Sequence, residues 1–501
     1  MSLKYNTIQL FSTLWLALGT IVFLLGFCKI YYALPVVCGM IWIIAKQYKN
    51  NTDRKDLKLS YKHIGFVIFI ALLLNLLCGI GGYVVQPNDH FGRNAIFSDI
   101  VNYEWPIYDK TQNLYMCYYL AFWTVPALFG KLFHSLDVGF AAQLIWMTLG
   151  SVALYLEVSR YMKKARLTYF AFIYLFAGLK IVECLLYLPI FGDSGWMGYM
   201  FKVLATNSSP TSFHAGPIVQ LLYDPFNQTI PLFLCMMLIF NNLKSKYIPF
   251  IYALIFLYAP FPFIGLTPIV FYLFLKNNSY FSNKESWIKI FSFENIIALL
   301  VIIIVAFYFS ANINGSHKGI RPITNLIGDV YGFAIYMIFE FIIFFAIGYK
   351  VCQNKPILWI ALGSVILFGW FQVGLHNDFC FRTNMPLIFI LALLLIKRYY
   401  DVETSKRMRC TIVILLLLGG VPAQIHPFLR YISTYFVYTH QNQVVLNQYQ
   451  KVVDVKNMYI MQQTKTRNDD LKSTFNCGSW GWMCDSFKGK PDSFFFKYIA
   501  K

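Results

Sequence analysis

Apolar runs recur along this chain almost to its end, many of them near the length of about 20 residues that a helix needs to cross a bilayer's hydrocarbon core. Within lipid the backbone has no water to bond, so each crossing segment must satisfy its own N–H and C=O groups, and helices do this within one segment. Of the 501 residues 58% are hydrophobic and 13% charged, whereas soluble domains carry roughly 25% charged residues. The sequence therefore reads as an all-α polytopic membrane protein. No long linker, low-complexity tract or internal repeat interrupts it. The first run begins near Ile8, shows no small-residue cleavage site and is followed at once by a second, which reads as an anchor rather than a removed leader.

A formal charge of +19 would suit a nucleic-acid partner, but most Lys and Arg residues lie in short loops between apolar runs. There they act as topology signals, so no nucleic-acid partner is expected. The eleven cysteines are mostly single and embedded in apolar stretches, where Cys packs as a small hydrophobe. Only Cys477 and Cys484 share a polar segment; they either close a small disulfide loop around Trp480 and Trp482 or remain free thiols. No CxxC, HExxH or GxxxxGKS/T pattern occurs, so neither a metal nor another cofactor is expected, and ATP-driven transport is disfavoured.

Charge bias threads the chain. Runs near 8–27 and 30–45 form a hairpin, and the loop with Lys46, Lys49, Arg54, Lys55, Lys58 and Lys62 is expected in the cytoplasm. Ile64 to Val85 then leads to a first large outer loop, about 86–137. Counting 115–133 as a span would put Arg160, Lys163, Lys164 and Arg166 outside, so that stretch reads as an interfacial helix and Val138 to Val158 as the return. Spans follow at 167–186, 224–240, 248–260, 262–275, 294–311, 330–349, 357–374, 386–396 and 411–425. This gives about 13 transmembrane helices, within about 11–14, an N-terminus in the cytoplasm, and interfacial helices in the first outer loop. The expected organisation is one transmembrane domain over 1–425 and a small extracytoplasmic C-terminal segment over 426–501.

The outer face collects the polar residues. An enzyme working there without a nucleotide needs an activated substrate supplied by the membrane, and a polyprenyl-phosphate sugar lipid meets that need. Attack by an acceptor hydroxyl calls for a carboxylate base near the headgroups and cations for the leaving phosphate. Asp89, just past the third span, has the right depth, with Asp99 and Glu104 as further acids. Each also has a plainer reading: Asp89 as a helix cap or partner of Arg93 one turn on, Asp99 as a water-facing residue between Phe97 and Ile100, Glu104 as an interfacial residue beside Trp105. Candidate binding residues for substrate or phosphate are His90, Arg93, His214, Gln220, Arg321, His376, Asp378 and Arg382. Asp378 and Arg382, one turn apart at the outer start of a span, suit either a phosphate or an interfacial ion pair. Lys180, Glu183 and Glu340 are charges inside spans, which are costly there and for that reason candidates for function, although Lys180 and Glu183 are close enough to neutralise one another.

An acidic residue just after a span, then a surface helix, then a return span ending in a basic loop resembles the GT-C superfamily of membrane glycosyltransferases. The stretch NDFCFRTNMP from Asn377 to Pro386 and the ending SFFFKYIAK resemble segments of uncharacterised bacterial relatives of that group. The resemblance implies transfer of a sugar from a polyprenyl-phosphate donor to an extracytoplasmic glycan, lipid or protein acceptor, in a bacterial plasma membrane, with Asp89 of Asn88-Asp89-His90 as base. The chain departs from better-known members in having two extra N-terminal spans and no Asp-Asp or Asp-Glu pair after the third. A transporter or flippase of a lipid-linked or anionic glycan, and a polysaccharide polymerase or ligase, are the alternatives.

Overall fold

The computed structural model describes residues 2–51, 55–84, 86, 89–110, 112–191, 213, 215–313, 318–320, 326–373, 378–425, 428 and 487–501. The described residues are mostly helical, 75%. Six helices among the described residues are long and apolar enough to cross a membrane: Tyr5–Phe27, Ile30–Asn50, Leu136–Tyr161, Phe293–Ser310, Gly328–Tyr349 and Asp378–Tyr400. Several helices also present large apolar side chains outward, among them Trp42, Phe66, Ile145, Leu299 and Trp359, each about half exposed. Such a surface is stable in contact with lipid, not water.

In chain order the first elements are strand β1 (Ser2–Lys4), helices α1 (Tyr5–Phe27) and α2 (Ile30–Asn50), strand β2 (Asp56–Lys58) and α3 (Tyr61–Leu77). Then come α4 (Asp89–Asn102), β3 (Tyr108–Asp109), β4 (Leu114–Met116), α5 (Ala121–Leu132) and α6 (Leu136–Tyr161). Side-chain caps set two of these starts: Ser60 accepts from the His63 N–H and Ser135 from the Val138 N–H, satisfying donors that a helix N-terminus leaves open. Helix α1 lies deep in the bundle because it is narrow where others cross it. A Cβ on Gly19 would fall 2.1 Å from the Ala121 carbonyl oxygen of α5, the close approach that small residues permit between helices in lipid. On the α6 side Trp15 stacks on Trp146 at 4.9 Å and donates its indole N–H to the Trp146 carbonyl.

The stretch expected to lie along the surface at 115–133 is a short strand followed by α5, a helix of 12 residues. At 1.5 Å per residue that is about 18 Å, well short of the hydrocarbon core. Its first half packs inside the protein, while Leu128, Phe129 and Leu132 are exposed.

The run expected as one span over 167–186 is interrupted. It forms α7 (Thr168–Tyr174), five residues without helix, and α8 (Lys180–Phe191). The polar groups of that break are satisfied from other segments. Tyr174 O accepts from the Gln424 side chain, Phe176 O accepts from the Ile218 N–H, and the Leu179 N–H donates to Phe339 O. Non-helical backbone is tolerated at membrane depth only when buried in protein in this way. After it come α9 (Ile218–Tyr223), α10 (Phe226–Phe240), α11 (Ile248–Ile255), α12 (Pro260–Asn277), α13 (Lys284–Ile290) and α14 (Phe293–Ser310). Strand β5 (Lys318–Ile320) precedes α15 (Leu326–Met337), which runs through a π-helical turn at Ile338–Ile342 into α16 (Ile343–Tyr349). The remainder is α17 (Lys355–Phe368), β6 (Phe371–Val373), α18 (Asp378–Thr383), α19 (Met385–Tyr400), α20 (Lys406–Ala423) and β7 (Lys488–Gly489).

Two clamps tie distant segments together. At one, Glu294 at the start of α14 takes Lys246 at 2.6 Å and Lys46 of α2 at 3.5 Å. At the other, the C-terminal residues dock onto the far ends of α1 and α14. Lys501 N–H donates to Phe27 O at 3.0 Å and Lys490 N–H to Ala311 O at 2.8 Å, while β7 adds to the β3–β4 hairpin as a third antiparallel strand. Aromatic contacts complete this docking, with Phe496 stacked on Tyr115 at 4.1 Å and Phe495 edge-on to Tyr308.

Candidate functional site

Helix α4 carries its polar residues inward. His90, Arg93, Asn94 and Asp99 are all nearly fully buried, so Asp99 does not face water as expected from its apolar neighbours. The helix is short and packs against α5 and α6. Its partner is the junction between α9 and α10, where Pro225 interrupts the helix and leaves main-chain carbonyls without intrahelical bonds. His90 Nε2 lies 2.5 Å from Tyr223 O, and Arg93 donates to Asp224 O. The Arg93 guanidinium also sits over the Phe226 ring at 5.9 Å. Gln220 donates to the Asp224 carboxylate at 3.2 Å, and its own side-chain oxygen is buried with no hydrogen-bond partner among the described residues.

Arg382 approaches from the other end of the chain. It lies in α18 and is itself buried; one terminal nitrogen donates to the Tyr119 hydroxyl at 3.2 Å and the other pairs with Asp378 at 3.3 Å. Its Nε is buried without a hydrogen-bond partner among the described residues. The Asp378 side chain is 47% exposed, so that ion pair is partly solvated. Tyr119 is in ring contact with Tyr118 at 3.6 Å between centroids, and both arginines act electrostatically on Tyr118. Burial holds the Tyr118 hydroxyl well above the usual tyrosine range, with Tyr119 adding to the effect and Arg93 and Arg382 opposing it. Phe487 of the docked C-terminal segment packs edge-on against Tyr118 at 4.7 Å, and the Cys117 N–H donates to Phe487 O.

Arg382 is held at Tyr119, and both guanidinium groups act electrostatically on Tyr118, an arrangement with the chemistry to receive an anion. Arg presents a planar fork of donors that matches phosphate oxygens, and its charge persists when desolvated. The tyrosine faces add an apolar wall and hydroxyl donors, a combination that suits a phosphate joined to a sugar or a hydrocarbon tail.

Asp89 begins α4, one helical turn before Arg93, and its side chain is outside the described residues. Glu104 is exposed, and its charge acts on Lys131 at the end of α5. His214, Arg321 and His376 lie outside the described residues, as do Cys477 and Cys484. Sequence reasoning missed Tyr118, Tyr119 and Phe487; the only signal for the tyrosines was the aromatic density of YMCYY, and Phe487, alone in DSFKGK, had none.

A second polar group lies nearby. Lys180 and Glu183 of α8 meet Glu340 of the π-helical turn, and all three are buried. Asp224 also acts on Lys180, so the residue whose carbonyl holds Arg93 borders both clusters. Among the described residues no three His, Cys, Asp or Glu side chains are arranged to hold a metal ion. No family model, curated protein or solved structure matches this chain.

Proposed function

We propose that this chain is a GT-C-like integral membrane glycosyltransferase that moves a sugar from a polyprenyl-phosphate donor to an extracytoplasmic glycan, lipid or protein acceptor. The observation that carries the reading is that Arg93 and Arg382, both buried, act electrostatically on Tyr118, with Arg382 donating to the adjoining Tyr119 hydroxyl. A leaving polyprenyl phosphate develops charge as the glycosidic bond breaks, and fixed cations in a water-poor site stabilise that charge most when they need not reorganise. Asp89, one turn from Arg93, takes the acceptor proton in this scheme. In the full arrangement the chain crosses a bacterial plasma membrane about 13 times. The Glu294 clamp lies on the cytoplasmic side and the arginine site faces outward, as the basic loops around Lys46 and Lys246 favour.

A carrier of a lipid-linked or anionic glycan is the second reading. The buried Lys180, Glu183 and Glu340 at an interrupted helix favour it, because carriers place ionisable groups and broken helices near the membrane midplane. Transfer assays with polyprenyl-phosphate sugars and purified full-length protein separate the two. The transferase reading expects release of free polyprenyl phosphate, lost in Asp89→Asn protein that elutes as wild type on size exclusion. Donor translocated intact by wild type would overturn it in favour of the carrier.

A further inference from the structure

Three helix ends meet at the opposite end of the Asp378–Tyr400 segment from Arg382. Helix α16 comes close to α19 at Gly348, where a Cβ would fall 2.8 Å from the Leu394 Cβ. The loop that follows Tyr349 is thereby brought to Lys397, and both Lys397 and Lys355 act electrostatically on its Cys352 thiol. Helix α6 ends at the same place. The Lys397 ammonium stands over the Tyr161 ring at 5.9 Å, and Lys163, two residues on, repels it.

The turn that ends α6 is not shaped for a lysine. Lys164 N–H donates to Ser159 O and Lys163 N–H to Arg160 O, both at 3.1 Å, and between these two bonds Lys163 adopts a left-handed φ of 55°. Glycine usually fills that position, because a Cβ is unfavourable there. The chain instead sets a cation beside a second cation. Asp401 also acts on Lys397, but its carboxylate is shared with Arg398 at 3.3 Å. The cluster therefore presents a positive field to an incoming anion.

The helix that starts at Lys355 shows what kind of anion fits. On α17 the exposed positions after the first turn are Trp359, Gly363, Ile366 and Leu367, which share one face with Lys355. Lys355 stands over the Tyr349 ring at 4.8 Å, and Trp359 packs on Phe345 at 4.7 Å. A Cβ on Gly363 would meet nothing within 4 Å, which leaves a notch one turn beyond Trp359. Cation, rings and aliphatic strip thus follow one another along the helix in the order of a phospholipid's phosphate, glycerol and acyl chain.

We propose that these helix ends bind one anionic phospholipid, its phosphate among Lys163, Lys355 and Lys397 and an acyl chain along the face from Trp359 to Leu367. Basic pockets between helix ends recognise such headgroups by charge, whereas a zwitterionic headgroup brings a cation of its own. No bond is made or broken. The proposal stands whatever the arginine site binds, because the two lie at opposite ends of one helical segment.

Native mass spectrometry of the full chain, with equimolar phosphatidylglycerol and phosphatidylcholine of identical chains, tests it. Wild type is expected to retain phosphatidylglycerol in preference, and the preference to fall about tenfold or more in Lys163→Gln/Lys355→Gln/Lys397→Gln protein. Lys163→Gly suits the left-handed turn, so it tests the site even if the triple variant does not fold. It is expected to keep or raise the thermal midpoint while lowering the preference about fivefold. A preference that Lys163→Gly leaves unchanged overturns the proposal, as does wild type that holds the two lipids equally. Glycerol 3-phosphate retained as well as phosphatidylglycerol would also overturn it, making the occupant a free phosphate.

Discussion

Arg382 donates to the Tyr119 hydroxyl at 3.2 Å across 263 residues of sequence, and in doing so joins α18 to the segment between β4 and α5. Neither residue is special in its own segment; the contact exists only because the two segments meet. Arg382→Lys keeps the charge but loses the fork that reaches Tyr119 and Asp378 together. A hydrogen bond to a charged group contributes about 1.5–3 kcal/mol. Affinity for polyprenyl phosphate is therefore expected to fall about tenfold or more in Arg382→Lys, measured by equilibrium binding in nanodiscs, with Tyr119→Phe showing a smaller loss in the same direction.

The C-terminal segment supports the tyrosines of the segment that precedes α5. Phe496 is 6% exposed and stacked on Tyr115, and Phe487 borders Tyr118. Truncating a buried Phe to Ala costs about 3–5 kcal/mol. Phe496→Ala is expected to lower the thermal midpoint in fluorescence-detected size exclusion, and Phe487→Ala to weaken lipid-phosphate binding as well.

The interrupted α7–α8 segment depends on glycines elsewhere. A Cβ on Gly420 would stand 2.2 Å from the Leu175 carbonyl oxygen, whereas one on Gly363 of α17 meets nothing within 4 Å. Gly420→Ala must push backbone apart and is expected to destabilise by about 1–3 kcal/mol or more. Gly363→Ala gains helix propensity and is expected to be neutral or stabilising by up to about 1 kcal/mol. Thermal unfolding of the two variants side by side checks the contrast.

The Lys246–Glu294 pair makes a pH-dependent contribution. Its hydrogen bond to Glu294 holds the Lys246 ammonium above the ordinary lysine value of 10.5. A folded-state value raised in this way stabilises fully below the unfolded lysine pKa, and the contribution is lost as pH rises through the raised value. The stability difference between wild type and Lys246→Met is therefore expected to be constant from neutral pH to about pH 9 and to shrink above the ordinary lysine range. The side chain is 55% exposed, so the effect is expected to be small and weakened by salt.

Hydropathy made the membrane class and many of the helical segments legible, because length and apolarity are local properties. Arg93 and Arg382 were each visible as cations beside a candidate span, but their common action on Tyr118 is tertiary and leaves no mark in spacing. The break after Tyr174 was equally hidden. Its sequence, Leu-Phe-Ala-Gly-Leu, has no proline and continues an apolar run, and the break persists because Ile218, Phe339 and Gln424 bond its backbone. The water-facing reading of Asp99 failed for the same reason: its neighbours suggested a surface helix, whereas Asp99 is buried where α4 packs against α5 and α6.

The most direct test of the proposed anionic-lipid site is native mass spectrometry of the full chain with added polyprenyl phosphate, comparing wild type with Arg93→Gln/Arg382→Gln protein that elutes identically on size exclusion. The predicted result is one retained polyprenyl phosphate on wild type and none on the double variant, at equal retention of a neutral diacylglycerol. Equal retention of polyprenyl phosphate by both proteins would contradict the account.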